Sequence, residues 1–553
     1  MKDIVVGLIA GEVDLDVCEI ESLIEVPPRL SMGDFAFPCF GLAKVMKKSP
    51  IQIASGLVKK FKLVKGIERV EAKGAYVNFF VDRKVFAAGV LGKDFDKKKA
   101  KKNGKKIVID MSSPNIAKPF GVGHLRSTII GNSIGKICEA NGFEVVKINY
   151  LGDWGTQFGK VIFGFKKWGD EKKLEKNPVE HLYDLYVRAN DEKYEDDCRE
   201  EFRKLENGDA ENVKLWKKFR KLSLKEFDGI YDLLGIKFDV ISGESFYNNK
   251  MGVVVEELRK KKLLEKNEGA EIVDLKDDEL GVVLIQKSDG TSLYATRDLA
   301  AAIDRKEKYK FDKMIYEVGQ EQRLHFEQLF RVLDKMGYGW AKSLNHVVHG
   351  LYLDSDGKKF ATRSGKTIFM KDIFGEVVEK AKLRLTSSGI RSQALGIRTL
   401  NERARKIALA AIFYGDLKNF RENNMVFDID KFLSFEGDTG PYLLYSYARA
   451  SSILKKVKVK KKINILDFKD VEIRLLKKID FFGEVVERAY ENLAPNLVAN
   501  YCFELATLFN EFYHSCPVID SEEEGFRLAL VSKFKEVLGK GLELLGIETL
   551  EEM

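Results

Sequence analysis

The chain has 553 residues, of which 45% are hydrophobic and 32% are charged, and it contains only 10 prolines. This composition excludes long disorder and fibrous repeats, and the length is sufficient for about three or four domains with buried cores. The net charge of +8 is a small surplus of 93 basic over 85 acidic residues, so total charge identifies no class of partner.

The cysteines and the lengths of the hydrophobic runs indicate where in the cell the protein is located. The six cysteines lie far apart, without a Cys-x-x-Cys pair and without histidines at ligand spacing. This pattern predicts reduced thiols and no structural zinc. Residues 1–4 begin no long apolar stretch, and no later run approaches about 20 apolar residues. We therefore predict a cytoplasmic protein without membrane contact.

Residues 1–100 predict a small α/β domain of their own. The segment ends in a lysine-rich stretch at 97–106, and a second lysine run lies at 455–462. A lysine run is typical of a solvated linker or face, but it also fits contact with phosphates, and the sequence leaves both readings open.

A glycine-spaced loop at residues 112–124 joins an apolar strand at 107–111 to a helical pattern that extends to residue 140. Gly121 and Gly123 let backbone amides approach a phosphate, and His124 adds a side-chain donor at the helix N-terminus. A second strand at 143–150 completes a βαβ unit of the Rossmann type. By itself, such a loop is equally typical of a tight turn that binds nothing.

The rest of the chain divides into a sheet-forming part and a helical part. Residues 107–385 predict one catalytic α/β domain, interrupted at 160–235 by a charge-dense helical insertion. Residues 395–553 predict an all-α bundle, because apolar residues recur there at helical spacing. The predicted helices of this bundle are at residues 405–413, 441–456, 471–493, 497–513 and 522–545.

Five segments together identify a family. They are residues 112–131, 152–159, 238–245, 287–298 and 435–442. Their wording and order resemble the arginyl-tRNA synthetases, which are class I aminoacyl-tRNA synthetases. The resemblance extends over essentially the whole chain, so chance agreement is negligible.

The resemblance implies a fold and an activity. The expected fold is a Rossmann-type catalytic domain with a small N-terminal α/β domain and a C-terminal helical anticodon-binding domain. The expected activity is ATP-dependent activation of L-arginine and its transfer to the terminal adenosine of arginine tRNA. Activation is expected to require the tRNA, ATP is expected to act with Mg²⁺, and the family is usually monomeric.

The resemblance also assigns residues to ATP. The expected contacts come from the signature loop and from the second matching segment, and they are Gly121, Val122, Gly123, His124, Leu125, Gly152, Asp153 and Gln157. His124 is the expected catalytic donor. The class has a histidine at the position of Gly121, which removes one side-chain donor here.

The second class signature is also altered. It reads Phe-Ala-Thr-Arg-Ser at residues 360–364, with Arg363 where the class has a lysine, and Lys366 follows two residues after that motif. In related enzymes a lysine ahead of the first signature substitutes, which here is Lys118. The sequence does not decide which of Lys118, Arg363 and Lys366 reaches the phosphates.

Recognition of arginine requires carboxylates, because a guanidinium presents a planar fork of donors. Tyr294 stands four residues before Asp298 and shares a face with it if the segment is helical. The resemblance assigns the guanidinium to these two residues and Glu244, and the carboxylate and amino group to Asn115 and Gln322. Glu244 ahead of a serine is also typical of a helix cap.

Four further residues match positions of tRNA contact in the family: Tyr76 and Asn78 for the tRNA elbow, and Tyr513 and Met553 for the anticodon. An edge strand, a buried core tyrosine and an unimportant terminus are the ordinary alternatives. Two rival functions are a catalytically silent tRNA-binding paralogue and a synthetase for another amino acid. A silent paralogue would have no use for a buried carboxylate pair.

Overall fold

The computed structural model describes residues 1–95, 102–287, 294–360, 369–387, 397–457 and 463–553, together with the backbone of two short strands at 362–363 and 366–367. The chain forms two compact units. The first consists of Met1–Phe95, Ile453–Phe481 and Thr507–Glu536, and the second of Asp96–Ser452, Phe482–Ala506 and Val537–Met553. Each unit thus combines segments from separate parts of the chain, and helices near its end belong to the same unit as its beginning.

The helices, in chain order, are α1 (Lys2–Ala10), α2 (Val17–Leu23), α3 (Leu42–Met46), α4 (Pro50–Lys60), α5 (Arg83–Gly92), α6 (Val122–Ala140), α7 (Thr156–Trp168), α8 (Glu171–Lys176), α9 (Pro178–Ala189), α10 (Glu195–Glu206), α11 (Ala210–Leu234), α12 (Met251–Lys260), α13 (Tyr294–Tyr309), α14 (Arg323–Lys335), α15 (Met370–Ser387), α16 (Ile397–Leu417), α17 (Ile429–Phe432), α18 (Gly440–Lys455), α19 (Asp470–Asp480), α20 (Phe482–Glu491), α21 (Pro495–Ser515) and α22 (Glu524–Leu544).

The strands are β1 (Phe35–Pro38), β2 (Ile67–Lys73), β3 (Tyr76–Val81), β4 (Lys106–Asp110), β5 (Glu144–Leu151), β6 (Val240–Gly243), β7 (Glu265–Asn267), β8 (Ala270–Asp274), β9 (Val282–Gln286), β10 (Lys313–Gly319), β11 (Leu344–His349), β12 (Tyr352–Leu353), β13 (Thr362–Arg363), β14 (Lys366–Thr367) and β15 (Met425–Val426).

The first unit combines an antiparallel sheet with helices from both ends of the chain. The sheet has the order β1-β3-β2. Lys477 of α19 lies 2.7 Å from the buried carboxylate of Asp34, just ahead of β1, and Lys93 pairs with Asp480. Within the helices of this unit, Arg527 donates to Glu472 at 2.8 Å, with both side chains almost fully buried. These pairs attach the N-terminal sheet to α19, so residues 1–95 do not pack in isolation.

The second unit contains the catalytic-type sheet. Five parallel strands have the order β11-β10-β4-β5-β6. The chain moves outward from β4 to β6 and then returns to the other side of β4 with β10. In such a sheet the crevice outside the carboxyl ends of the two central strands is the usual ligand site. The predicted Rossmann-type fold class is confirmed, and helices α7 to α11 occupy the predicted insertion between β5 and β6.

The helical region differs from the prediction at one place. A single helix is expected at residues 471–493, but α19 ends at Asp480 and α20 begins at Phe482. Gly483 lies in the first turn of α20, and glycine has a low helix propensity, which is consistent with a break at this point. No helix in the described part of the chain is both long and apolar enough to span a bilayer.

A buried ion pair connects α6 of the sheet region to α16. Arg126 Nε donates to Asp416 at 3.2 Å, and the two side chains are 0% and 1% exposed. Tyr352 also donates to the carboxylate of Asp416. Breaking such a pair leaves one charge in the protein interior without compensation.

We expect Asp416→Ala to lower the free energy of unfolding by about 3–5 kcal/mol, since it strands the buried guanidinium of Arg126. Urea unfolding followed by circular dichroism measures this change. The double variant Arg126→Met/Asp416→Leu should recover much of the loss, and Glu195→Ala, which removes an exposed pair with Arg199, should change little. A single Asp416→Ala variant as stable as the wild type would contradict this account.

Candidate active site

The loop between β4 and α6 has a strained and well-anchored backbone. Ser112, Ser113 and Ala117 have φ angles of 74°, 48° and 60°, in the left-handed region that residues with a Cβ rarely adopt. Such strain persists only where surrounding contacts hold it, and it concentrates at functional sites. The amide of Ser112 donates to Ser127 Oγ at 2.9 Å, and the amide of Ala117 donates to Ser223 Oγ at 3.1 Å.

His124 is a neutral hydrogen-bond donor in this loop. The amide of Gly121 donates to its Nδ1 at 3.1 Å, so the proton of the neutral ring is on Nε2. Burial lowers the pKa of His124 to about 4, and the charges of His349 and Lys118 add to the effect. At neutral pH the ring therefore presents an N–H group without a positive charge.

The predicted ATP contacts of the loop are only partly available. Val122, Gly123 and His124 form the first turn of α6, where backbone amides lack intrahelical acceptors. The amide of Leu125 donates to the carbonyl of Gly121 at 3.2 Å, and the Leu125 side chain is fully buried. The helix therefore already uses the Leu125 amide, and the contact of Leu125 with ATP stays a prediction.

Lys118 lies beside this turn. Its Nζ is 4.8 Å from the centre of the Tyr186 ring, and its charge acts on His124. Lys160 faces the same ring at 6.0 Å. The backbone of Arg363 pairs with that of Lys366 in a short hairpin, but the side chains of both lie outside the described residues. Of the three candidates, Lys118 is therefore the one whose side chain is seen near His124 in the described part of the chain.

The second matching segment is a structural junction. A Cβ built on Gly152 would lie 1.9 Å from Asn115 Oδ1, so any larger residue at position 152 would force the Asn115 side chain to move. Asp153 is fully buried and accepts from Ser245 and from Arg220 Nε, the latter at 2.8 Å. Protein donors thus already bond to the carboxylate of Asp153, and its contact with ATP stays a prediction. Gln157 lies in the first turn of α7 and is partly exposed.

A second cluster, which we call the acidic pocket, consists of Tyr294, Asp298 and Glu244. Tyr294 and Asp298 lie one turn apart on α13, and the carboxylate of Asp298 is the main cause that raises the pKa of Tyr294 far above its ordinary value. The predicted helical face is therefore present. His325 Nε2 lies 2.8 Å from Asp298 Oδ2, and Tyr150 donates to its other oxygen at 3.4 Å.

Glu244 begins a 3-10 turn after β6, at the edge of the acidic pocket. Its carboxylate lies 3.5 Å from Arg297 Nη1, and burial raises its pKa to about 8, partly opposed by that guanidinium. Arg297 Nε also faces Asn248 at 3.3 Å. A guanidinium of the chain itself is therefore already near Glu244, which the sequence did not indicate.

The remaining predicted contacts are scattered. Gln322 ends a short 3-10 turn that follows β10 and is exposed. In the first unit, Tyr76 packs edge-on against Phe40 at 5.6 Å and is partly exposed, and Tyr513 is 40% exposed. Asn78 is only 4% exposed, so a direct base contact by Asn78 is not supported. Met553, in the second unit, is partly exposed.

Sequence reasoning missed His325, Tyr150 and Arg297, which contact predicted site residues, and it also missed Arg305, which pairs with Asp110 at the end of β4. Arg305 Nη1 lies 2.8 Å from Asp110 Oδ2, and both side chains are almost fully buried. Arg297 lies within the matching segment 287–298 but was not assigned a role there, and the other three lie outside the five matching segments. A buried arginine on an otherwise apolar helical face is the one signal that could have indicated Arg305.

Three family models match consecutive parts of the chain. They are the arginyl-tRNA synthetase N-terminal domain at residues 2–81, the catalytic domain of class I tRNA synthetases (R) at 87–429, and the DALR anticodon-binding domain at 443–553.

Similar proteins and structures agree with these models. The chain is 44% identical to an arginine–tRNA ligase of Clostridium perfringens and 45% identical to one of Clostridium botulinum, each over 100% of both chains. It is similar in structure to the Thermus thermophilus arginyl-tRNA synthetase, with a TM-score of 0.81, 24% identity and 96% of each chain covered. The Plasmodium falciparum arginyl-tRNA synthetase gives a TM-score of 0.79 at 26% identity, over 96% of this chain and 94% of that one.

The environment of His124, whose side chain is partly buried, predicts how the ring titrates. With a pKa of about 4, the ring stays neutral between pH 5.5 and pH 8 and carries its proton on Nε2. Nitrogen-15 NMR of histidine-labelled protein should therefore show that the signals of His124 do not move in this range. Assignment by the His124→Asn variant is the control, and a midpoint near the ordinary value of about 6.5 would contradict the assigned environment.

Proposed function

The chain belongs to the arginyl-tRNA synthetase family, and from that premise we propose that it is an arginine–tRNA ligase. It joins L-arginine to ATP with release of diphosphate, and then transfers the arginyl group to the 2′ hydroxyl of the terminal adenosine of arginine tRNA. The observation that carries the proposal is the meeting of two unlike groups at the carboxyl edge of one sheet. The α6 loop offers donors to an anion, and the acidic pocket offers carboxylates to a cation.

The first step needs no protein nucleophile, because the arginine carboxylate attacks the α-phosphorus directly. Negative charge develops on the phosphate oxygens, so the protein contributes position and electrostatic stabilisation. We assign this role to His124 Nε2–H, the first-turn amides of α6 and Lys118. The neutral imidazole of His124 donates its Nε2–H to a phosphate oxygen.

Asp298 is the principal guanidinium ligand in our proposal. It is 8% exposed, and His325 and Tyr150 orient its carboxylate while Tyr294 lies one turn away. A planar guanidinium can satisfy a carboxylate and a neighbouring phenol oxygen at once. An ammonium of the shorter lysine would leave part of this buried acceptor set unpaired, which is how polar sites discriminate strongly.

Glu244 has a secondary role in this proposal. It has Arg297 as a neighbour and a pKa of about 8, so the protonated form predominates at neutral pH without substrate. A guanidinium that enters the acidic pocket favours the ionised form. Asn115, at the junction with Gly152, and Gln322, on the turn after β10, are assigned to the α-carboxylate and α-amino group of arginine.

ATP enters with Mg²⁺, which we assign to the phosphates alone. Within the described ranges, no group of three or more His, Cys, Asp or Glu side chains could hold a metal ion. We further propose a cytoplasmic monomer whose tRNA contacts include Tyr76, Tyr513 and Met553. Activation is proposed to require tRNA, as the family resemblance implies.

Arginine-dependent exchange of labelled pyrophosphate into ATP tests the function. We expect exchange only when arginine tRNA is added. The Asp298→Asn variant should raise KM for arginine by about 100-fold, since a charged acceptor becomes neutral. Glu256→Gln, on an exposed part of α12, is the control. Folded protein that binds tRNA but shows no exchange in either condition would instead indicate a silent tRNA-binding protein.

Lys118→Ala tests the assignment of the phosphate cation. We expect kcat to fall by about 100-fold with KM for arginine unchanged, as for removal of one charge-stabilising donor. Lys160→Ala is a matched control, because Lys160 faces the same Tyr186 ring from 6.0 Å but is not assigned to ATP. Equal activity of Lys118→Ala and wild type would transfer the role to Arg363 or Lys366.

A further inference from the structure

One face of α11 lies against the strained loop between β4 and α6. Ser223, Phe227 and Tyr231 stand four residues apart on this helix, so their side chains share one face. All three are buried, with exposures of 0%, 0% and 4%. Helix α11 is the last helix of the insertion between β5 and β6, and the proposed mechanism assigns it no role.

Two contacts of this face hold strained residues of the loop. Ser223 Oγ accepts from the amide of Ala117 at 3.1 Å, and Ala117 has a φ of 60°. The hydroxyl of Tyr231 lies 2.8 Å from Ser112 Oγ, and Ser112 has a φ of 74°. The left-handed conformation is unfavourable for a residue that carries a Cβ, so each of these two residues needs a contact that holds it. Side chains of α11 supply such a contact to both.

The hydroxyl of Tyr231 is oriented to donate to the loop. Asn149 Nδ2 donates to Tyr231 Oη at 2.9 Å, so the one phenolic proton is available for Ser112 Oγ. Burial raises the pKa of Tyr231 well above its ordinary value, so the phenol keeps this proton. Asn149 is fully buried and lies on β5, the neighbour of β4 in the sheet. The sheet therefore fixes the hydroxyl that holds Ser112.

A third contact connects α11 to the proposed phosphate donor. The ring of Phe120, at the end of the loop, lies 5.7 Å from that of Tyr231 in an edge-to-face arrangement and 6.1 Å from that of Phe227. The same ring lies 5.5 Å from the imidazole of His124, and Phe120 is 2% exposed. Aromatic rings of α11 therefore support the side chain on which His124 packs.

We propose that Ser223 and Tyr231 are positioning residues of the nucleotide site, which hold the loop between β4 and α6 in the strained form that binds the phosphates of ATP. The inference rests on the proposed function and adds to it a role for the insertion. Without the two hydroxyl groups, Ala117 and Ser112 relax toward negative φ angles. ATP then binds only the fraction of molecules whose loop has the strained form, which lowers its apparent affinity.

Calorimetry of the full chain, with ATP and separately with arginine, tests this role. Tyr231→Phe and Ser223→Ala each remove one hydroxyl group and keep the rest of the helix face. Each should weaken ATP binding by about tenfold, since the loop loses one hydrogen bond and the strained residue is no longer held. Arginine binding should stay unchanged in both variants, because neither hydroxyl contacts a residue of the acidic pocket in the described part of the chain.

Matched controls remove hydroxyl groups that bond to other helices of the same unit. Tyr338 donates to Glu257 on α12 at 2.9 Å, and Ser451 donates to the carbonyl of Tyr447 within α18 at 3.0 Å. Tyr338→Phe and Ser451→Ala lose comparable hydrogen bonds, so they report the general effect of such a loss. Both should bind ATP as tightly as the wild type.

A glycine variant separates positioning of the loop from a general loss of stability. Glycine adopts the φ of 60° found at residue 117 without the penalty of a Cβ, so it depends less on the bond to Ser223. The double variant Ser223→Ala/Ala117→Gly should therefore bind ATP about threefold more tightly than Ser223→Ala. A purely structural role predicts no recovery, because an added glycine increases the entropy of the unfolded chain.

Wild-type affinity for ATP in either hydroxyl variant would overturn the proposal, and so would equal weakening of ATP and arginine binding or no recovery in the glycine double variant. Pyrophosphate exchange with arginine tRNA tests the ligase function separately. If the wild type binds ATP but shows no exchange, the ligase function fails, while ATP calorimetry still decides the role of α11. A wild type that binds no ATP would overturn both. Ser112→Ala removes the same hydrogen bond from the loop side if Tyr231→Phe does not fold.

Discussion

One buried ion pair positions everything else in the site. Asp110 ends β4, and Arg305 of α13 approaches it to 2.8 Å with side-chain exposures of 5% and 2%. The Arg305 guanidinium also faces the ring of Tyr150 on β5 at 4.8 Å and that of Tyr316 on β10 at 5.8 Å. A single cation thus touches three neighbouring strands and the helix that carries the acidic pocket. Since an uncompensated charge in this environment is strongly unfavourable, the position of α13 relative to the sheet is tightly restricted.

With α13 in this position, a region of hydrogen-bond donors and a region of carboxylates lie on opposite sides of Asp110. On one side of Asp110 the strained loop and the first turn of α6 present amides, a neutral imidazole and Lys118. On the other side, α13 and the turn after β6 present two carboxylates and a phenol. The reaction brings a cationic amino acid with a nucleophilic carboxylate to an anionic nucleotide, so the two halves have complementary charges. Both halves include partly buried groups, and this strengthens their interactions because water does not screen them fully.

Some of the predicted site residues are buried or already hydrogen-bonded to other residues of the fold. Asp153 lies in a segment typical of the family, yet Ser245 and Arg220 occupy its carboxylate. Asn78 lies on a strand beside Tyr76, yet it is buried. Conversely, Glu317 and His349 belong to no motif, and their hydrogen bond of 2.8 Å forms because β10 and β11 are neighbours in the sheet. Whether a polar residue can bind a ligand depends on whether other residues of the fold already hydrogen-bond to it.

Local pattern was sufficient for the strand, loop and first helix of the βαβ unit at residues 107–150, for the helical region after residue 395, and for the placement of Tyr294 and Asp298 on one face. These features depend on residues a few positions apart, whose spacing is set by backbone geometry and appears directly in the chain. The family, and with it the activity, followed from ordered motifs in the same way. The partners of those residues came only from the tertiary structure. They are Arg305 paired with Asp110, His325 bonded to Asp298, Arg297 next to Glu244, and the ion pairs that attach residues 1–95 to α19. Each joins residues far apart in the chain, and burial and hydrogen bonding at such distances depend on which strands and helices become neighbours, which no local pattern records.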